Sequence, residues 1–343
     1  MTDEPRFRGD DVKKRGMNKQ ATLAAALLAA CTVMAQSNAL AQGSYPTRSV
    51  RFIVPLAAGG AADIIGRVAA DSLSKTWGQP VVVENRPGAG TNVGVEALAK
   101  SAPDGYTIGQ INVASHAINP ALQKGKLPFN PQKDFEPITL LAISSNFLVV
   151  NPTKVPVKTV PELVAYAKAH PGQLNYASAG VGTTLHLGME MFKDATGTDM
   201  VHVPYNSGAT LISDLLSGRV DLAMDVAANN WQYVQGGKLR ALAAVTPKRA
   251  AFAPDIPAAN EYYPGLEITA WHGLGAPAGT PRAIVDKISA DYARAVTAPE
   301  VQTKMKANYL IPASMKPDEF RAYITAEAAK WARAVEKSGA SSN

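Results

Sequence analysis

Short apolar strands and amphipathic helices alternate along most of this chain. The predicted strands lie at 50–54, 80–84, 106–112, 147–150, 174–177, 200–203 and 221–224. The predicted helices lie at 64–73, 93–100, 160–169, 184–195, 210–217, 284–296 and 320–335. Elements that alternate at this density form parallel sheets with helices on both faces. The sequence therefore predicts an α/β protein.

Two apolar and extended stretches, 140–150 and 268–274, are well separated in the sequence. They are predicted to be the two strands that cross between two α/β lobes. The first lobe is then discontinuous, residues 44–143 plus 271–338, and the second lobe is residues 144–270. A chain of 343 residues usually divides its core, so two lobes agree with its length.

Residues 1–41 are predicted to be an export signal rather than part of the fold. Basic residues precede an apolar stretch at 21–35, and Ala39-Leu40-Ala41 then supplies the small-x-small pattern that a signal peptidase accepts. The stretch is short for a membrane-spanning helix, which needs about 20 residues. The mature protein is expected to begin at Gln42.

Two alternatives remain open in this segment. Leu28-Ala29-Ala30-Cys31 resembles a lipobox, in which the cysteine would carry a lipid anchor. Translation can also begin at Met17 instead of Met1, because Met17-Asn18-Lys19 is an adequate basic start. Cys31 is the only cysteine of the chain, so the mature polypeptide is expected to have no disulfide.

Charge and motifs exclude several classes of function. The net charge is +6 with no run of five basic residues, so nucleic acid is not an expected partner. The chain has no P-loop, no nucleophile elbow and no H-E-x-x-H, and the glycines of 88–94 miss the dinucleotide spacing by one residue. No metal and no cofactor are expected. His186 and His202 are expected to be structural.

Ligands are expected at the carboxyl ends of the strands, where helix N-termini present unpaired N–H groups. Four such places stand out: the loop 55–63, the turn 113–116, the loop 178–184, and Asp225 with the residues after it. Asp63 is expected to cap the helix that follows its loop. Loops rich in N–H and hydroxyl donors but poor in Arg and Lys favour a carboxylate held by backbone dipoles. Simple tight turns are the alternative.

From Tyr45 to Val335 the sequence is similar to the Bug/TctC family, the extracytoplasmic solute-binding receptors of tripartite tricarboxylate transporters. The matching segments are YPTRSVRFIVPLAAGGAAD (45–63), GQPVVVENRPGAG (78–90), APDGYTIG (102–109), SHAINPAL (115–122), LNYASAGVGTTLHL (174–187), VHVPY (201–205), LLSGRVDLAMD (215–225), GKLRALAAVTPKR (237–249) and GLGAPAGTP (273–281). The resemblance implies a type II periplasmic-binding-protein (Venus-flytrap) fold. It also implies a monomeric periplasmic receptor of a Gram-negative bacterium, not an enzyme, that binds a small organic carboxylate.

Carried over residue by residue, the resemblance implies ligand-binding residues in both lobes. Those of the first lobe are Ala57, Ala58, Gly59, Asp63, Ser115 and His116. Those of the second lobe are Ser178, Ala179, Gly182, Thr183 and Asp225. The implied protein partners are membrane transporter subunits, or a signalling protein in the alternative of a ligand sensor. A periplasmic hydrolase is a further alternative, and His116, Asp63 and Asp225 are its candidate groups.

The sequence departs from the family pattern at the predicted cleft. Leu56 stands where the family often has Phe or Tyr, and Ala61-Ala62 where it often has Pro-Thr. These changes predict a roomier and less aromatic cleft mouth. Asn206-Ser207 replaces a common Lys-Gly, so an ionic contact from this loop is not expected.

The export signal gives a direct prediction. Mature protein recovered from a Gram-negative periplasm is expected to begin at Gln42 and to carry no lipid, because cleavage follows Ala41. N-terminal sequencing and intact mass measure both properties. An acylated Cys31 at the new N-terminus would instead support the lipobox.

Overall fold

The computed structural model describes residues 45–205 and 208–340. The predicted export signal, Cys31 and Gln42 lie outside these residues, as do Asn206 and Ser207. Within the described ranges, no helix is both long enough and apolar enough to cross a membrane.

Strands and helices alternate as the sequence predicts. The strands are β1 (Val50–Val54), β2 (Val81–Asn85), β3 (Thr107–Asn112), β4 (Phe135–Ser144), β5 (Asn146–Val150), β6 (Asn175–Ser178), β7 (Val201–Pro204), β8 (Leu222–Val226), β9 (Arg240–Ala244), β10 (Ala270–Pro277) and β11 (Leu310–Pro312). The helices are α1 (Ala61–Trp77), α2 (Asn92–Ala99), α3 (Asn119–Leu122), α4 (Val160–Ala169), α5 (Thr184–Thr196), α6 (Gly208–Ser217), α7 (Ala227–Gln235), α8 (Arg282–Ala295), α9 (Pro299–Ala307) and α10 (Pro317–Ser338).

The strands form two sheets. The first has the order β11-β4-β10-β3-β1-β2, and the second has the order β7-β6-β8-β5-β9. β1 pairs in parallel with β2 and β3, and β6 pairs in parallel with β7 and β8. β10 is antiparallel to both of its neighbours, β3 and β4. β5 is likewise antiparallel to β8 and β9.

The chain crosses between the sheets at Ser145. β4 ends at Ser144 in the first sheet, and β5 begins at Asn146 in the second. Ser144 pairs with Ala270, the first residue of β10, and Asn146 pairs with Val226, the last residue of β8. The carboxyl ends of the parallel strands of both sheets therefore meet at this crossing.

The chain returns to the first sheet after β9. The Ile268 N–H donates to the Val245 carbonyl at 2.8 Å, next to the end of β9, and β10 begins two residues later. Both stretches that the sequence predicts as crossings thus join the two sheets. The α/β prediction is confirmed, and the lobe boundaries stay a prediction.

The sequence does not predict several elements, because their apolar patterns and residue propensities are weak. β9 has the sequence RALAA, and alanine does not favour strands. β11 is only three residues long, and α7 is rich in polar residues. Residues 113–116, predicted as a turn, instead begin a π-helical turn (Ala114–Ile118) that continues into α3.

The longest helix closes the first sheet on one face. α10 packs against β4, the π-helical turn and α5. Its Phe320 meets Trp271 of β10 edge to face, with ring centroids 5.8 Å apart, and both rings are fully buried. A Cβ added to Gly273 would lie 2.1 Å from the Phe320 ring, so this strand needs a glycine where the helix crosses it.

Candidate functional site

Two glycine-rich loops lie at the carboxyl ends of the sheets. The first (55–60) joins β1 to α1, and the second (179–183) joins β6 to α5. Each loop leaves a parallel strand and enters the N-terminus of a helix, where backbone N–H groups lack partners within the helix. The topology thus places both loops on the edges that meet at the crossing.

Asp63 holds the first loop in shape. Its Oδ2 accepts the Gly59 N–H at 2.9 Å, and its Oδ1 accepts the Asn85 side-chain amide at 2.9 Å. Arg67 also donates to Oδ2 at 2.9 Å. Burial raises the pKa of Asp63, but these hydrogen bonds outweigh burial and lower the pKa below its ordinary value.

This arrangement differs from the cap that the sequence predicts. Gly60 is the N-cap of α1, and Asp63 lies in the first helical turn. Its carboxylate therefore holds Gly59, the residue before the N-cap, and does not cap the helix itself. Ala57, Ala58 and Gly59 are exposed at the loop tip, with Gly59 at φ +88°.

The second loop is fixed by three side chains. Thr183 is the N-cap of α5, and its hydroxyl accepts the His186 N–H at 3.3 Å and donates to the Gly180 carbonyl at 2.8 Å. The Ser178 hydroxyl accepts the Gly180 N–H at 3.1 Å and lies 2.6 Å from His202 Nε2. Gly182, at φ +76°, donates its N–H to His186 Nδ1 at 3.2 Å.

Two N–H groups of this loop have no acceptor among the described residues. Within residues 45–205 and 208–340, the N–H groups of Ala179 and Val181 make no hydrogen bond. Both residues are exposed. The loop therefore offers free donors at the N-terminus of α5, where the helix dipole favours negative charge.

Helix α3, which follows β3 of the first sheet, lies against the second loop. A Cβ added to Gly182 would lie 2.8 Å from the Leu122 Cδ1 atom of α3. The structure therefore brings the 179–183 loop against the helix that follows β3. In the described part of the chain, no hydrogen bond joins Ala57, Ala58 or Gly59 to this loop.

Ser115 and His116 are interior residues. Ser115 bonds to Asn112, and its hydroxyl lies 2.9 Å from His116 Nδ1. The His116 ring contacts Phe135 with centroids 4.8 Å apart, and its Nε2 has no hydrogen-bond partner within residues 45–205 and 208–340. Burial lowers the pKa of His116 to about 3. The ring is neutral, and neither Asp63 nor Asp225 hydrogen-bonds to it within the described residues.

Asp225 is buried at the end of β8. Its Oδ1 accepts the Asn229 side-chain amide at 3.1 Å, whereas Oδ2 has no partner in the part of the chain that the structure describes. Burial raises the pKa of Asp225 to about 6, against the hydrogen bonds that favour the charged form. Among the residues that the structure describes, no group of His, Cys, Asp and Glu forms a metal-binding cluster.

Two histidines lie behind the second loop. The His186 and His202 rings have centroids 4.1 Å apart, and His202 stacks on Tyr176 at 4.9 Å. Burial lowers the pKa of both histidines, that of His202 to about 4. The expectation that they are structural agrees with these contacts, but no sequence pattern indicates that they hold this loop.

The chain matches known proteins over most of its length. A profile described as tripartite tricarboxylate transporter family receptor (TctC) matches residues 65–340. Protein BugT of Bordetella pertussis is 33% identical over 299 residues, which cover 87% of this chain and 91% of BugT.

Solved structures of similar proteins agree with this match. R. palustris Rpa4515 with adipate has a TM-score of 0.73 and 32% identity, covering 87% of this chain and 99% of that chain. MatC from Rhodopseudomonas palustris with bound malate has a TM-score of 0.67 and 31% identity, covering 85% and 100%. The chain therefore belongs to the tripartite tricarboxylate transporter receptor family, TctC, and has the periplasmic-binding-protein fold that its motifs implied.

Proposed function

We propose that this protein is a periplasmic receptor that captures a small organic carboxylate between its two lobes. The observation that carries this proposal is the second loop, where the N–H groups of Ala179 and Val181, at the N-terminus of α5, have no acceptor among residues 45–205 and 208–340. The loop contains no Arg or Lys, so backbone dipoles supply the positive potential. A single carboxylate suits such a site better than a phosphate ester, whose higher charge usually requires cationic side chains.

Other predicted site residues support this proposal. The exposed tip of the first loop, Ala57 to Gly59, offers small residues that let backbone approach a ligand closely. Asp225 has one carboxyl oxygen without a partner among the residues described, and burial raises its pKa to about 6. When protonated, that oxygen can donate a hydrogen bond to a ligand oxygen. We therefore place Asp225 among the binding groups and not among catalytic ones.

The relatives support a proposal for the ligand class. Adipate and malate are both short dicarboxylates, and each is bound by a relative that is at least 31% identical to this chain. We propose that this receptor also takes a short dicarboxylate and delivers it to membrane subunits of a tripartite transporter. A signalling protein as the recipient is the alternative, and a crosslinking experiment with the closed, ligand-bound receptor in its native membrane distinguishes the two.

A thermal-shift screen tests ligand capture. A ligand that binds only the folded state at 100 times its Kd stabilises the protein by about 2.7 kcal/mol, which raises Tm by several degrees. We expect such a shift with at least one member of a series of mono-, di- and tricarboxylates. The diamide of the same acid is the matched control and is expected to give none. A panel in which no acid raises Tm would argue against the proposed function.

The two crossings predict a change of shape on binding. A ligand held by loops from both lobes favours the closed state by its extra contacts, so the lobes are expected to rotate about 140–145 and 268–272. Small-angle scattering with and without saturating ligand measures this as a decrease in the radius of gyration. An unchanged radius at saturation would contradict the flytrap motion and leave ligand capture standing.

A further inference from the structure

A groove lies at the outer edge of the crossing between the two sheets, away from both glycine-rich loops. One wall is the segment 246–252, which follows β9, the edge strand of the second sheet. The other wall is α9 with β11, the edge strand of the first sheet. β11 and β1 are four steps apart in the first sheet, and neighbouring strands are about 4.8 Å apart, so roughly 19 Å separates the groove from the first loop.

The groove has the size and the surface of a small-molecule site. Its volume is about 520 Å³, within the range of roughly 300–1,000 Å³ that such sites have. Half-buried apolar side chains line both walls, Phe252 on one side and Ile143, Ile311 and Pro312 on the other. An occupant of the groove therefore buries apolar surface against both sheets.

Two polar side chains of the lining are already bonded within the protein. The Thr246 hydroxyl donates to the Lys248 carbonyl at 2.8 Å, and the Gln302 side-chain amide donates to the Val296 carbonyl at 2.6 Å. Neither group needs a polar partner from a ligand. The interior of the groove thus favours an apolar body.

Tyr309 holds the two walls together beside the groove. It joins α9 to β11 with φ +57°, a backbone conformation that bulky residues rarely adopt. Its carbonyl accepts the Ser145 N–H at 3.2 Å, and its ring meets Phe252 edge to face with centroids 5.1 Å apart. The groove is therefore formed by direct contact between the two walls and does not depend on an occupant.

The charged groups of the lining are all cationic. They are Lys248, Arg249 and Lys306, and no Asp or Glu of the described chain lines the groove. Glu261 neutralises Arg249 through two hydrogen bonds of 2.8 Å and 2.7 Å. Lys248 and Lys306 are exposed, and their amines form no ion pair within residues 45–205 and 208–340. Each wall thus supplies one uncompensated lysine at the rim.

We propose that this groove is a second ligand site, which binds an amphipathic carboxylate with one charged end and an apolar body. The body packs against Phe252 and Ile311, and the carboxylate lies at the rim with Lys248 and Lys306. Such a molecule differs from the dicarboxylate proposed for the cleft, which is charged at both ends. The site is independent of that proposed function.

Calorimetric titration with butanoate, hexanoate, octanoate and decanoate tests the apolar part. Each additional buried methylene group is expected to raise affinity about fourfold until the groove is filled. Thr303→Trp places a large ring on the exposed face of α9 that lines the groove, and it is expected to weaken decanoate binding more than tenfold. Thr325→Trp, at an exposed position of α10, is the matched control and should bind like wild type.

A charge reversal tests the anionic end. The double variant Lys248→Glu, Lys306→Glu is expected to bind decanoate about tenfold more weakly. Lys133→Glu, Lys238→Glu has the same net charge and should bind like wild type. Lys133 precedes β4 and Lys238 precedes β9, so each lies at the end of its strand away from the groove. Thermal melts show that every variant is folded before it is titrated.

Gly182→Pro identifies which site decanoate occupies. It alters the second loop and is expected to leave decanoate affinity unchanged. If Gly182→Pro weakens decanoate binding and Thr303→Trp does not, decanoate occupies the cleft, and the second site is overturned while ligand capture stands. Affinity that does not rise with chain length, or equal weakening by both lysine double variants, would also overturn the second site.

Discussion

Replacing Gly182 with proline is expected to weaken carboxylate binding by at least about 1.5 kcal/mol, more than tenfold. Proline fixes φ near −65°, whereas Gly182 has φ +76°. The substitution also removes the N–H that donates to His186, and it adds atoms where a Cβ would lie 2.8 Å from Leu122. The loop therefore cannot keep the shape that aims its free donors. Calorimetry on the folded variant measures the loss.

Gly78→Pro is the matched control for this prediction. Gly78 also has a positive φ (+64°) and a bonded N–H, which donates to the Ser74 carbonyl at 2.9 Å. It ends α1 and precedes β2, at the opposite end of the strands from the loops. Its replacement should lower Tm and leave ligand affinity unchanged. Equal affinities for Gly182→Pro and wild type would show that the second loop is not the ligand site.

Acid is expected to destabilise the protein by about 4 kcal/mol between pH 6.5 and pH 4.5. Burial lowers the pKa of His116 to about 3, and it lowers the pKa of His202 and of His272 to about 4. Below pH 6.5 the unfolded chain binds protons at these three histidines that the folded chain excludes, so the free energy of unfolding falls with pH. His202 is partly exposed, so water reduces its share of the effect. Asp225, with its pKa raised to about 6, opposes this trend because its folded form gains a proton first.

His116→Phe isolates the largest part of this effect. Phenylalanine retains a ring against Phe129 and Phe135 but does not titrate. The free energy of unfolding, from urea titrations at the two pH values, should then fall by about 2 kcal/mol less than in the wild-type protein. His116→Phe also loses the hydrogen bond to Ser115, which lowers the free energy of unfolding at both pH values. This cost cancels because the change between the two pH values is taken within each protein. An identical change in both proteins would contradict the assignment to His116.

Periodicity predicts the elements that have strong apolar patterns and fails for those that do not. β1 is predicted at its observed bounds, and α4 likewise, because each has an apolar pattern bounded by turn residues or a cap. β9 and β11 are held by their neighbours in the sheets rather than by their own propensities. Their existence depends on pairing partners that lie far away in the sequence.

The candidate site is only partly visible in the sequence. Small residues mark both loops, since backbone approach requires them, and a capping threonine, Thr183, marks the second. Side-chain direction is not visible, and His116, predicted as a ligand residue, packs between aromatic rings of the core. The role of His186 was missed, although a polar residue four positions after a loop glycine is a signal that Asp63 shares.

The strand order of the first sheet also has a consequence for the order of folding. The strands of the second sheet all come from residues 146–244, so that sheet can form from one continuous stretch of chain. In the first sheet, β10 lies between β3 and β4 although it follows them by more than a hundred residues. Pairings between such distant segments form slowly. A nascent chain that ends at residue 269 is therefore expected to fold the second sheet, residues 146–244, before the first. The first sheet is completed only after β10 and β11 have been synthesised.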